Sequence, residues 1–142
     1  NFQNFAAWCE TQPFFNAKDI KGNSYHLDKD ILVKGNKLYS PKYCRFVPSN
    51  INNLILSNKS ARGIHPIGVS FKKGKFYSQI TGGRSEKKST LILGYFDTPE
   101  EAFLSYKEVK ELYIKDVANK WKDSIDVEIY ESLMKWCVDK ED

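Results

Sequence analysis

Two carboxylates, Asp28 and Asp30, stand at the end of an apolar run that begins near Tyr25, and His26 lies two residues before the first of them. On a strand, residues two apart share a face, so His26 and Asp28 would project together as a base beside an acid. Lys29 sits between the acids. At its ordinary pKa, near ~10.4, a lysine is protonated at neutral pH and takes no proton from water without strong desolvation. Next come a loop with Gly35, Asn36 and Pro41, a short strand-like run over 44–47, and a helix start at Pro48 and Ser49 that carries Asn52 and Asn53. The same acids have a plain structural use, because strand-end aspartates cap turns. The asparagines can equally be ordinary polar helix residues.

A second chemistry is carried by charge. Residues 1–56 hold seven Lys/Arg against four Asp/Glu, residues 57–90 eight against one, and residues 91–142 seven against thirteen. The local balances of +3, +7 and −6 are concealed by a net +4. A strongly basic middle followed by an acidic end points to a localised face for a polyanion rather than to solubility charge. Arg62, Lys72, Lys73, Lys75, Arg84, Lys87 and Lys88 are its candidate phosphate contacts. Their plain alternative is a solvated turn and loop.

The elements that must position these groups are legible from periodicity. Phe5, Trp8 and Cys9 sit at helical spacing before Pro13. Strands are predicted over 25–32 and 44–47, then a helix with Ile51, Leu54 and Ile55 on one side, fraying in the polar run 57–60. From Gly63 the period becomes that of strands: 67–71, 76–81 and 90–96, joined by a turn at 72–75 and a polar loop over 82–89. Alternation assigns Val69, Phe71, Phe76, Ser78, Ile80, Leu91 and Leu93 to a covered face. Ser70, Lys72, Tyr77, Gln79, Thr81, Thr90 and Ile92 then point outward. Thr98, Pro99 and Glu101 form a helix start with a capping box, and Ala102, Tyr106, Val109, Tyr113 and Val117 continue it to about Trp121. A last helix is predicted over 127–138, and a disordered tail over 139–142. The Tyr106, Tyr113, Trp121 and Trp136 stripe is core. The fold class is therefore α+β: a small ββα module over 1–58, a three-stranded antiparallel sheet on a long helix over 62–121, and a C-terminal helix and tail over 122–142.

Composition excludes several classes. With 41% hydrophobic and 14% aromatic residues the chain can build cores, so global disorder is excluded. No apolar run approaches the ~20 residues of a membrane span, and no signal peptide opens the chain, so neither a membrane nor export is expected. Three cysteines without a CxxC pair read as reduced thiols of a cytoplasmic protein. The chain begins inside an amphipathic pattern, which suggests that the native protein continues upstream.

The segment with Leu27, Asp28, Asp30, Gly35, Tyr39, Ser40, Pro41, Cys44 and Arg45 in order resembles a phage-associated form of the HNH endonuclease family, which carries the pattern LDRxDNxGxYSPxNCRW. The match spans about residues 1–56. It implies a ββα-metal site in which Asp28 and the helix residue Asn52, or Asn53 if the register slips by one, hold Mg²⁺ or Mn²⁺ and the ion stabilises the leaving oxygen. The residue after the strand-end aspartate, the family's water-activating histidine, is here Lys29, and the orienting asparagine falls at Tyr43. The motif is degenerate. His26, Asp28, Lys29 and Asp30 are the residues at which catalysis would be retained or lost.

Downstream, Gly68-Val69 and the stretch from Leu93 through Phe96, Thr98, Glu100, Glu101 and Ala102 to Tyr106 resemble the Apetala-type, ethylene-response-factor-like DNA-binding domain, over about residues 62–118. That family lays its exposed sheet face in the major groove of double-stranded DNA. The resemblance implies contacts from Ser70, Lys72, Tyr77, Gln79 and Thr81, with Lys and Gln suited to base edges and Tyr, Ser and Thr to phosphates. Three functions follow: a DNA-binding protein with a degenerate nuclease module in a phage-infected or prophage-carrying bacterial cell, a working metal-dependent HNH nuclease, or a regulatory or anti-defence protein that uses the fold to bind a protein partner. The first two need the basic surface of 57–90, whereas the third tolerates its loss.

Overall fold

A computed structural model describes residues 1–56, 59–82 and 89–142. The chain forms two compact units, Asn1–Leu56 with Ile114–Trp136 and Ser57–Tyr113 with Cys137–Asp142. Both contain helix and sheet, as the α+β pattern requires.

In the first unit, Asn1 caps α1 (Phe2–Glu10) by accepting the Gln3 N–H at 2.8 Å. Strand β1 (His26–Asp28) pairs antiparallel with β2 (Arg45–Val47), so that His26 faces Val47, Leu27 faces Phe46 and Asp28 faces Arg45. Helix α2 (Ser49–Leu54) follows directly, with Ile51 and Leu54 buried. The ββα order is present, but both strands are shorter than the pattern suggested. β1 stops at Asp28 because the Asp28 carboxylate binds the backbone N–H groups of Asp30 and Ile31, at 3.1 and 2.8 Å, and turns the chain. Helix α5 (Val127–Met134), capped by Asp126 on the Glu128 N–H at 2.8 Å, buries Ile129 and Leu133. It ends at Met134 rather than near 138, since the Lys135 and Trp136 N–H groups bend back to Ser132 and Leu133. Arg45 ties β2 to that helix start: its Nη2 lies 3.1 Å from Glu128 Oε1, its Nε 3.8 Å from Asp126 Oδ2, and its Nη1 donates to the Pro41 and Cys44 carbonyls.

In the second unit, β3 (Val69–Lys72), β4 (Lys75–Gly82) and β5 (Ser89–Phe96) form an antiparallel sheet in that order. A two-residue hairpin joins β3 to β4. Lys73 and Gly74 take φ values of 52° and 78°, the twist that matches right-handed strands. Thr98 caps α4 (Pro99–Trp121) through the Glu101 N–H at 3.2 Å, with Glu100 and Glu101 in the positively polarised first turn. The sheet packs on this helix through Val69, Ser78, Ala102, Phe103 and Tyr106, all buried.

Several sequence expectations change here, beginning with Leu91 of the expected covered face and Tyr113 of the expected core stripe, both of which are exposed. Straight alternation put Leu93 on the covered face, but the β4–β5 register shifts after Ser78, which pairs with Gly94 while Gln79 pairs with Ile92. Leu93 is the extra residue of a β-bulge, and beyond it the parity of β5 reverses. Phe71 shares the covered side with Phe76, yet it is 51% exposed and packs on Phe76 and His65, at ring distances of 4.8 and 6.5 Å. The tail is held rather than loose. The Lys140 carbonyl accepts the Ile67 N–H at 3.3 Å, and Glu141 lies 2.5 Å from Lys59 of α3 (Lys59–Arg62). Among the described residues no helix is long and apolar enough to cross a membrane.

Candidate nucleic-acid interface

The cluster at the end of β1 is built around an enclosed carboxyl. Asp28 is 4% exposed, and burial pushes its pKa up to about 6, with the neighbouring Asp30 adding a hydrogen bond and like charge in the same direction while the Ile31 N–H pulls the other way. Asp30 faces the Lys29 ammonium at 3.3 Å, which in turn lies 5.8 Å from the centre of the Tyr39 ring. His26 is exposed at the outer end of the strand. Asn52 is half-buried on α2, and Tyr43 is half-buried with the Lys42 ammonium 5.3 Å from its ring centre. Asn36, which the sequence marked only as a loop residue, staples the turn. Its amide donates to the Lys29 and Leu38 carbonyls at 2.7 and 2.8 Å and its oxygen accepts the Leu38 N–H.

This arrangement caps the loop. One Asp28 oxygen is engaged by two backbone donors, which hold the turn after β1. Among the described residues no three His, Cys, Asp or Glu side chains are grouped to hold a metal.

The sheet offers a different surface. On its outward side, cross-strand rows run Ser70–Tyr77–Tyr95, Gln79–Ile92 and Thr81–Thr90. Gln79 Nε2 donates to Ser70 Oγ at 3.2 Å, the threonine hydroxyls meet at 3.1 Å, and the tyrosine rings lie 5.9 Å apart, tilted by 44°. Tyr95 was missing from the outward set read from alternation. Only the bulge places it there, and no local sequence signal announces a bulge at Leu93.

The basic candidates divide. Lys72 and Lys73 are exposed at the hairpin. Lys75 forms an ion pair with Asp97 across the β4–β5 end, which reduces the charge it offers to a phosphate. Arg62 is half-buried, and its Nη2 donates to the Lys140 carbonyl at 3.4 Å while its Nε and Nη1 make no hydrogen bond. Arg84, Lys87 and Lys88 lie outside the described residues.

No family model, curated protein or solved structure matches this chain.

Proposed function

We propose that this chain, which also carries an HNH-like ββα module with a degenerate catalytic motif, binds duplex DNA through the outward face and basic hairpin of its three-stranded sheet. The observation that carries the reading is the outward row of hydrogen-bonding side chains, Ser70, Tyr77, Gln79, Thr81 and Thr90, ending at the exposed Lys72 and Lys73. Amides and lysines suit base edges, hydroxyls and ammonium groups suit phosphates, and the surrounding segment is the most one-signed part of the chain. A phage-infected or prophage-carrying bacterium is the setting in which such a protein would act.

Replacing Lys72, Lys73 and Lys75 together with Ala tests this directly. Each neutralised phosphate contributes a slope of about −0.9 to log K against log salt, so the triple variant should bind a duplex about tenfold more weakly and lose about two units of slope. Lys75 contributes the smallest share because Asp97 already engages it. Unchanged affinity and slope in anisotropy titrations would remove the hairpin from the interface.

The nuclease-like module is proposed to cleave DNA weakly or not at all. Proton transfer by a positioned base is worth about 10²–10⁴ in rate, and the ammonium of Lys29 stands where the family places its base. Incubating supercoiled plasmid with the chain and Mg²⁺ or Mn²⁺ should leave it intact. Efficient nicking that disappears in His26→Ala would instead establish a relocated base and a working enzyme.

A further inference from the structure

The bulge at Leu93 reverses the facing of the last residues of β5. Without it, Tyr95 would lie against α4 and Phe96 would face solvent; with it, Phe96 pairs with Phe76 on the covered side and Tyr95 stands directly across from Tyr77 on the open side. Bulges interrupt a hydrogen-bond ladder, and they commonly re-aim a side chain at a functional surface. Here the re-aimed side chain is 64% exposed, and the neighbouring outward Ile92 is 47% exposed. The two tyrosine rings are tilted by 44° with centres 5.9 Å apart, so they are not stacked flat on each other.

We infer that this face takes an unpaired base of DNA, stacked against Tyr77 and Tyr95. The inference rests on the DNA-binding reading above and adds the class of DNA preferred. A paired base shows a groove-binding protein only its edge, whereas an unpaired base exposes its π-face, the surface that an open aromatic side chain can cover. Gln79 lies in the adjacent row of β4 with one amide hydrogen committed to Ser70 at 3.2 Å. Its carbonyl oxygen and second amide hydrogen can meet the edge of a base held there. Lys72 and Lys73, exposed at the hairpin, supply positive charge for the phosphate backbone at that end of the sheet. The ligand is a duplex interrupted by unpaired nucleotides.

The test is a pair of fluorescence-anisotropy titrations of the full chain, one with a short labelled duplex and one with the same duplex carrying a few unpaired thymines at its centre. Base–aromatic stacking is worth about 1–3 kcal/mol per base, so the interrupted duplex should bind about tenfold tighter. Tyr95→Ala should abolish that preference while melting like the unmodified chain. Tyr95→Phe should keep it, because stacking needs the ring and not the hydroxyl. Equal binding of the two duplexes overturns the inference, as does a Tyr95→Phe variant that loses as much as Tyr95→Ala, which would make the hydroxyl the contact. If the two duplexes bind equally and the triple lysine variant still weakens both, the DNA-binding reading stands and only stacking falls. If neither duplex binds, both fall together.

Discussion

Gly68→Ala should destabilise the second unit by roughly 3 kcal/mol, a large fraction of the about 5–15 kcal/mol that holds a small domain together. Two costs add. Gly68 has φ +75°, a conformation that costs an L-residue about 1–2 kcal/mol. A Cβ built there would lie 2.1 Å from Tyr106 Cδ2 and 2.3 Å from Cγ, well inside contact distance. The ring cannot simply swing away. Tyr106 is 6% exposed, and its burial is deep enough to push the phenol pKa up to about 12. Gly68 is also fixed from the other side, since its carbonyl accepts the Gln79 N–H at 2.9 Å. Overpacking a closed core typically costs another 1–3 kcal/mol. Urea or thermal melts measure the loss. A double variant separates the causes, because Gly68→Ala should cost less in a Tyr106→Leu background if overlap with the ring dominates. Melts of the single variant that superimpose on the unmodified chain would show that the ring does not rest on this glycine.

The second large effect is expected at Asp28, where Ala and Asn should behave oppositely. Asp28→Ala removes the acceptor for the Asp30 and Ile31 N–H groups. Ile31 is 2% exposed, so its donor would be left without water or partner. An orphaned buried donor costs about 1–3 kcal/mol, and a loss of roughly 2–4 kcal/mol is expected for the two together. Asp28→Asn keeps an oxygen in place and removes the charge. The pH dependence distinguishes it from the parent. A carboxyl whose pKa is about 6 in the folded chain, against about 3.9 unfolded, binds its proton more tightly when folded. Its contribution to stability is therefore fully present below the unfolded value and is lost as pH rises through about 6. A shift of this size corresponds to a change on the order of 2–3 kcal/mol across that range. In Asp28→Asn the slope between about pH 4 and 6 should flatten, and stability above about pH 7 should equal or exceed that of the parent. An Asn variant that keeps the full slope would assign the titration to another group, and Asp28→Ala melting unchanged would deny the cap.

The sequence by itself determined what depends on neighbours along the chain. The α+β class, the ββα order of the first module, the hairpin at Lys73 and Gly74 and the start of α4 at Thr98, Pro99 and Glu101 all follow from local rules of periodicity, turn geometry and capping. The candidate residues of the sheet were legible for the same reason, since alternation alone puts Ser70, Tyr77, Gln79 and Thr81 on one face. Tertiary structure decided the rest. A period of two cannot reveal an inserted residue, because the bulge at Leu93 is set by pairing with β4, and it alone turned Tyr95 outward. Nor can a charge written in a sequence show its partner: Lys75 pairs with Asp97, a contact between residues far apart in the chain. Asp28 differs most between the two views. Its type and place suggested a metal ligand, but the pKa of a carboxyl is set by the dielectric and the donors around it, and only the fold supplies an enclosed site with two backbone N–H groups.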